Sequence, residues 1–136
     1  MIRNILENDI DKINRIGQEL YDNFENIYDL KSYIYDDKYH LYLIEQDNII
    51  GFMIITENID VFELDCIVVK EKYRGLGVGK KLLSYFVNNI SKPIILEVSD
   101  KNERAIHLYE KLGFKRVAFR KNYYKNSNAI IMKLVK

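Results

Sequence analysis

The 136-residue sequence has no tryptophan, one proline (Pro93), one cysteine (Cys66) and two histidines, His40 and His107. A lone cysteine excludes an internal disulfide and fits a reducing compartment. Cys66 also lies in an apolar run, where a thiol serves as a small core residue. With one thiol and two imidazoles a zinc site is not expected, and no metal is assigned. No apolar run approaches the ~18 residues of a membrane span, and the N-terminus lacks a secretory-signal pattern. The formal net charge is only +1, which leaves neither a broad basic face for nucleic acid nor an acidic field for a cationic partner. No repeat, low-complexity tract or linker divides the chain. The expectation is one soluble, cytoplasmic domain over residues 1–136, a monomer or weak dimer, with no nucleic-acid or membrane partner.

What the chain does have is a core's worth of apolar residues, 48% of the total, and one conspicuous stretch. Tyr73-Arg74-Gly75-Leu76-Gly77-Val78-Gly79-Lys80 holds three of its six glycines. A strand-like run, Leu64 to Val69, precedes it, and a helical pattern of Leu82, Leu83, Phe86, Val87 and Ile90 follows. Strand, glycine-rich turn and helix together suit a phosphate-bearing ligand. Glycine lets the backbone approach, and the helix N-terminus presents free N–H groups and a positive dipole end. Arg74 and Lys80 flank the turn with positive charge. The motif alone does not choose among phosphate ligands.

Elsewhere the periodicities predict a mixed α/β protein. Met1 to Leu6 is β-compatible, and Asp9 is placed to N-cap a helix with the apolar stripe Ile10, Ile13, Ile16 and Leu20. A second helix is expected from about Ile27 to Tyr35. His40 to Glu45 and Ile49 to Thr56 form a hairpin about Asp47-Asn48, and Val61 to Val69 adds a third strand. Pro93 to Val98 is a short strand. The next helix starts at Asn102 as N-cap, packs Ala105, Leu108 and Leu112, and stops at Gly113. Phe114 to Phe119 and Ala129 to Val135 close the chain as strands. The order implies a mixed sheet with a strand–helix–strand crossover in its second half.

Two residues break pattern. Glu97 interrupts a strand that otherwise reads as buried on both faces. It either takes a salt-bridge partner at the strand's end or faces a polar cleft as a general base. Tyr109, about two turns into the following helix, either packs in the core or reaches the same cleft.

Arg74-Gly75-Leu76-Gly77-Val78-Gly79 resembles the Arg/Gln-x-x-Gly-x-Gly/Ala signature of the GNAT acetyltransferases. Leu108-Tyr109-Glu110-Lys111-Leu112-Gly113-Phe114 resembles the family's later Leu-Tyr-x-x-x-Gly-Phe motif, in the right order and at the right distance. Within the family the likeness is to bacterial ribosomal-protein-alanine N-acetyltransferases. It rests on Leu96-Glu97-Val98, Asn102, Arg120-Lys121-Asn122-Tyr123-Tyr124 and Ala129-Ile130-Ile131-Met132.

The resemblance implies a mixed, mostly antiparallel sheet with one splayed parallel pair, flanked by helices. Acetyl-CoA would be the co-substrate and a protein or peptide N-terminus, such as that of a ribosomal protein, the acceptor. Pantetheine would pair with Ile67, Val68 and Val69, and Asn102 would touch the pantetheine arm. Backbone N–H groups from Gly75 through Leu76, Gly77, Val78 and Gly79 to Lys80 would hold the pyrophosphate. Glu97 matches the family's base and Tyr109 its acid. Two segments depart from the relatives: Asn23 to Tyr28 lacks their Pro-Trp-Ser, and Lys125-Asn126-Ser127-Asn128 is shorter than their loop. Both border the acceptor groove in this fold. That keeps open a small amine (amino acid, polyamine or antibiotic) as acceptor, or a CoA-binding module without turnover.

Overall fold

Apolar alternation and tight turns build seven strands, and the computed structural model describes all residues 1–136. The strands are β1 (Ile2–Asn4), β2 (Tyr39–Glu45), β3 (Ile49–Glu57), β4 (Phe62–Val69), β5 (Ile94–Ser99), β6 (Lys115–Tyr124) and β7 (Ser127–Leu134). They form one sheet ordered β1-β2-β3-β4-β5-β7-β6. Every neighbouring pair is antiparallel except β4 and β5, which run parallel. A parallel pair needs a crossover. The glycine turn and helix α4 (Val78–Val87) supply it.

The sheet carries a core on each face. Leu82, Leu83 and Phe86 of α4, with Ile106 and Tyr109 of α5 (Glu103–Lys111), bury one face against Leu64, Leu96 and Met132. On the other, Ile13 of α1 (Ile10–Gly17), Phe24 of α2 (Phe24–Ile27) and Leu30 of α3 (Leu30–Tyr33) cover Leu43, Phe52 and Ile54. At Gly17 a Cβ would lie 2.3 Å from the Phe24 ring, so the missing side chain is what lets α2 fold back onto α1.

Several local expectations are corrected. Asp9 precedes α1 but does not cap it. Its carboxylate accepts instead from the Leu6 N–H (2.8 Å) and both Arg3 Nη atoms (2.8 and 3.0 Å). A charged Arg partner outcompetes the helix N–H groups for the same oxygens. Leu20 lies beyond α1 and is largely exposed. Of the helix expected over Ile27 to Tyr35 only the single turn α3 forms, capped by Asp29 through the Ser32 N–H, while Ile27 ends the separate turn α2. Asn102 does cap α5, accepting from the Ala105 N–H at 3.2 Å. The deeply buried residues of that helix are Ile106 and Tyr109, while Ala105, Leu108 and Leu112 pack only at the core's margin. β5 is not buried on both faces: Ile94, Leu96 and Val98 point into the core and Glu97 points away.

Arg3 joins three elements, because its Nε also meets Glu45 on β2 at 2.8 Å. Its hydrogen bonds hold the Asp9 and Glu45 carboxyls below their ordinary range. A carboxylate depressed by folding stabilises the fold above its unfolded pKa, near ~3.9 for Asp, and that stability is lost as pH falls below it. Arg3→Leu should therefore destabilise at neutral pH by about 1–3 kcal/mol and flatten the acid limb of Tm against pH. Thermal melts across the acid range check this, and an acid limb unchanged from wild type would contradict it.

Candidate active site

Pairing between β4 and β5 covers only Phe62–Ile94, Glu63–Ile95 and Leu64–Leu96. Beyond Leu64 the strands part. On its other side β4 stays bonded to β3 up to Val69, but with a bulge: Ile55 pairs with Leu64 and Ile54 with Cys66, which leaves Asp65 as the extra residue. The bulge turns the following strand over, so that Cys66 and Val68 pack under α1 and α2 while Leu64 faces α4. From Asp65 onward, one backbone edge of β4 faces an opening instead of a strand.

That opening is a cleft of about 610 Å³. Ile67, Val68 and Val69 form its floor, the turn from Arg74 to Lys80 closes one end, and Asn102 and Tyr109 stand opposite. Leu76 alone among the turn's predicted residues stays out of it, with its side chain in solvent. Gly75 (φ +78°) and Gly77 (φ +80°) are left-handed, and a Cβ at either would meet nothing within 4 Å. Backbone conformation, not lack of room, requires glycine there. The N–H groups of residues 75 to 80 donate to nothing within the chain. Successive unpaired donors at the start of α4 make an anion site.

Charge at the site agrees. Arg74 is tied back, its Nε donating to the Val69 carbonyl (2.9 Å) and a terminal nitrogen 3.5 Å from Glu19. Lys80 and Arg104 line the same cleft and form no ion pair. Each occupies the first turn of a helix, where the dipole disfavours a cation. Two such cations converging on one cleft suit a polyanion. Arg104 was missed from sequence, although this placement against the dipole is a readable signal. Glu19 and Leu20, which wall the cleft from the end of α1, gave no signal, since their approach depends on the fold. The cleft thus fits a long ligand with one polyanionic end and a part able to pair with a strand edge.

Tyr109 is 6% exposed, and its hydroxyl bonds to no group of the chain. The one buried polar side-chain atom sealed off without a partner is Asn14 Oδ1, so the Tyr109 hydroxyl opens on the cleft. Burial pushes its pKa up to about 12, and the phenol stays protonated at neutral pH. Glu97 is not brought into this cleft. It occupies the first position of β5 beyond the last paired residue, on the opposite face of the sheet. There its Oε1 lies 3.4 Å from Arg120, and its charge is among those that raise the phenol of Tyr124. The two residues therefore flank the split from opposite sides.

Residues 7–114 match the acetyltransferase (GNAT) family model. The ribosomal protein bS18-alanine N-acetyltransferase of Haemophilus ducreyi is 36% identical over 99 residues, which cover 66% of this chain and 68% of that protein. Its Haemophilus influenzae counterpart is 38% identical over 102 residues, 68% of this chain and 69% of that protein. The crystal structure of the corresponding Escherichia coli enzyme superposes with a TM-score of 0.85 at 27% identity, covering 98% of this chain and 92% of that one.

Proposed function

From the premise that this chain belongs to the acetyltransferase (GNAT) family and is an acetyl-CoA-dependent N-acetyltransferase, we infer that its acceptor is the α-amine of a protein N-terminus, specifically an N-terminal alanine of a ribosomal protein. The relatives that act on such an alanine support the acceptor. One observation carries the chemistry: Glu97 and Tyr109 flank the β4–β5 split from opposite faces. Donor and acceptor then enter from opposite sides of one sheet and meet at the gap. Cytoplasmic location belongs to the same reading.

Acetyl-CoA supplies the acetyl thioester. The unpaired N–H groups of residues 75 to 80, with Lys80 and Arg104, hold its pyrophosphate. The free edge of β4 from Ile67 to Val69 pairs with the pantetheine amides in the manner of an added strand. Asn102, whose Oδ1 caps α5, still has its amide nitrogen free for the same arm.

An α-ammonium has a pKa of about 8 and must lose a proton before it attacks. Glu97 accepts that proton, directly or through water. The amine nitrogen bonds to the acetyl carbon, the carbon–sulfur bond breaks, and the sulfur leaves with the electron pair and takes up the second proton that the nitrogen sheds on becoming an amide. A backbone N–H near Val68 stabilises the oxyanion. Tyr109 meets the sulfur with a hydrogen bond. Its raised pKa makes it a better donor of that bond than of a full proton, because a thiol near ~8.5 is the stronger acid.

A mass-spectrometric panel of alanine-initiated peptides, free amino acids and diamines tests the acceptor. Acetylation of the peptides at their α-amine, with the free amines inert, is the expected result. Turnover confined to the free amines would replace this acceptor with a small molecule.

A further inference from the structure

The split places a second carboxylate opposite Glu97. Parallel neighbours project to the same face, and the last paired residues, Leu64 and Leu96, both enter the α4 core. Asp65 and Glu97, one step on, therefore both project to the other face, across the first open rung. The side-chain contacts agree: Asp65 Oδ2 accepts from the Thr56 hydroxyl on β3, and Tyr28, packed under α1, donates to the Asp65 carbonyl at 3.4 Å. The charge of Asp65 is among those that raise the Tyr28 phenol and the charge of Glu97 among those that raise the Tyr124 phenol, so a tyrosine stands beside each acid.

Asp65 has no salt-bridge partner, and the Lys38 ammonium acts on its carboxyl only from a distance. Glu97 has Arg120, whereas Asp65 has one hydroxyl partner. Burial pushes its carboxyl up to about 6. A half-buried carboxylate with no cation in contact costs stability and fits a cationic visitor. The bulge that creates the position also sets it at the mouth of the split, where the amine must arrive.

We propose that Asp65 is an acceptor-binding residue: its carboxylate receives the incoming ammonium group, beside Tyr28, and delivers it to Glu97. Asp65 thus selects cationic amines, while Glu97 performs the proton transfer. This rests on the amine acetylation inferred above, though not on which amine is used.

The test titrates an alanine-initiated peptide, and separately its Nα-acetylated form, into CoA-saturated protein by calorimetry. Wild type should prefer the free amine. Asp65→Asn should weaken free-amine binding about tenfold or more, the scale of a lost hydrogen bond to a charge, and leave the acetylated peptide unchanged. In steady-state assays the loss should fall on acceptor KM far more than on kcat, with acetyl-CoA affinity retained. The variant should also melt higher at neutral pH, which shows that it is folded. If wild type takes 1,4-diaminobutane and ignores the peptide, the acceptor inferred above fails, and the same comparison run with the diamine still decides the role of Asp65. An acceptor KM and free-amine affinity equal to wild type in Asp65→Asn would overturn the proposal.

Discussion

Glu97→Gln is expected to lower kcat about 100- to 10,000-fold, the range of positioned acid–base catalysis, while acetyl-CoA binds as before. Glutamine keeps the size and most polar contacts of the side chain but cannot accept the ammonium proton. The donor cleft lies on the other face of the sheet and does not include Glu97, so its affinity has no reason to move. The contact with Arg120, half-exposed and 3.4 Å long, is of the kind worth little to stability, and the melting temperature should change little. The loss should shrink at high pH, where the amine arrives already neutral and needs no base. Turnover within a few-fold of wild type across the neutral range would remove Glu97 from this role.

The largest structural effect is expected at Gly17→Val. The added Cβ would start 2.3–2.5 Å from the root of the Phe24 ring, which is fully buried and packed edge-on against Phe52 at 5.5 Å. No flexible chain end is available to give way, so α2 must move. Overpacking of this kind costs about 1–3 kcal/mol, or roughly 4–12 °C in Tm for a chain of this size. Tyr28 rides on the same turn, 4.9 Å from Phe24, and its hydroxyl reaches the Asp65 carbonyl. The surviving folded protein should therefore show a raised acceptor KM with near-normal acetyl-CoA affinity. A Tm at or above that of wild type would show that the two turns re-pack freely.

The donor half of the site was legible because its signals are local. Two left-handed glycines, a strand before them and a helix after them lie within one short stretch, and Asn102 caps its helix by a rule that needs no tertiary context. The acceptor half depends on register. Glu97 stood out as a misfit charge, but only the parting of β4 and β5 shows that it faces away from the donor cleft. Asp65 looked like an ordinary alternating residue, because a bulge leaves no mark in hydrophobic periodicity. Asp9 was misassigned for a related reason: a distant Arg3 claimed the oxygens that a local rule gave to α1. The helix expected over Ile27 to Tyr35 shrinks to the one turn α3, and α2 before it lay outside that span, because turns this short depend on the Phe24 and Leu30 contacts and not on local propensity.

Three residue pairs are all the hydrogen-bonded seam between the β1–β4 wing and the β5–β7–β6 wing. With so short a seam, it is side-chain packing rather than backbone pairing that sets the gap between two reactants. Leu64 and Leu96 are last in the seam and buried in the same core cluster as α4 and α5. A bulkier or smaller side chain at either would alter the distance across which the bond must form, with both binding surfaces left whole. Reaction rate and substrate affinity could then drift apart through residues that touch neither substrate.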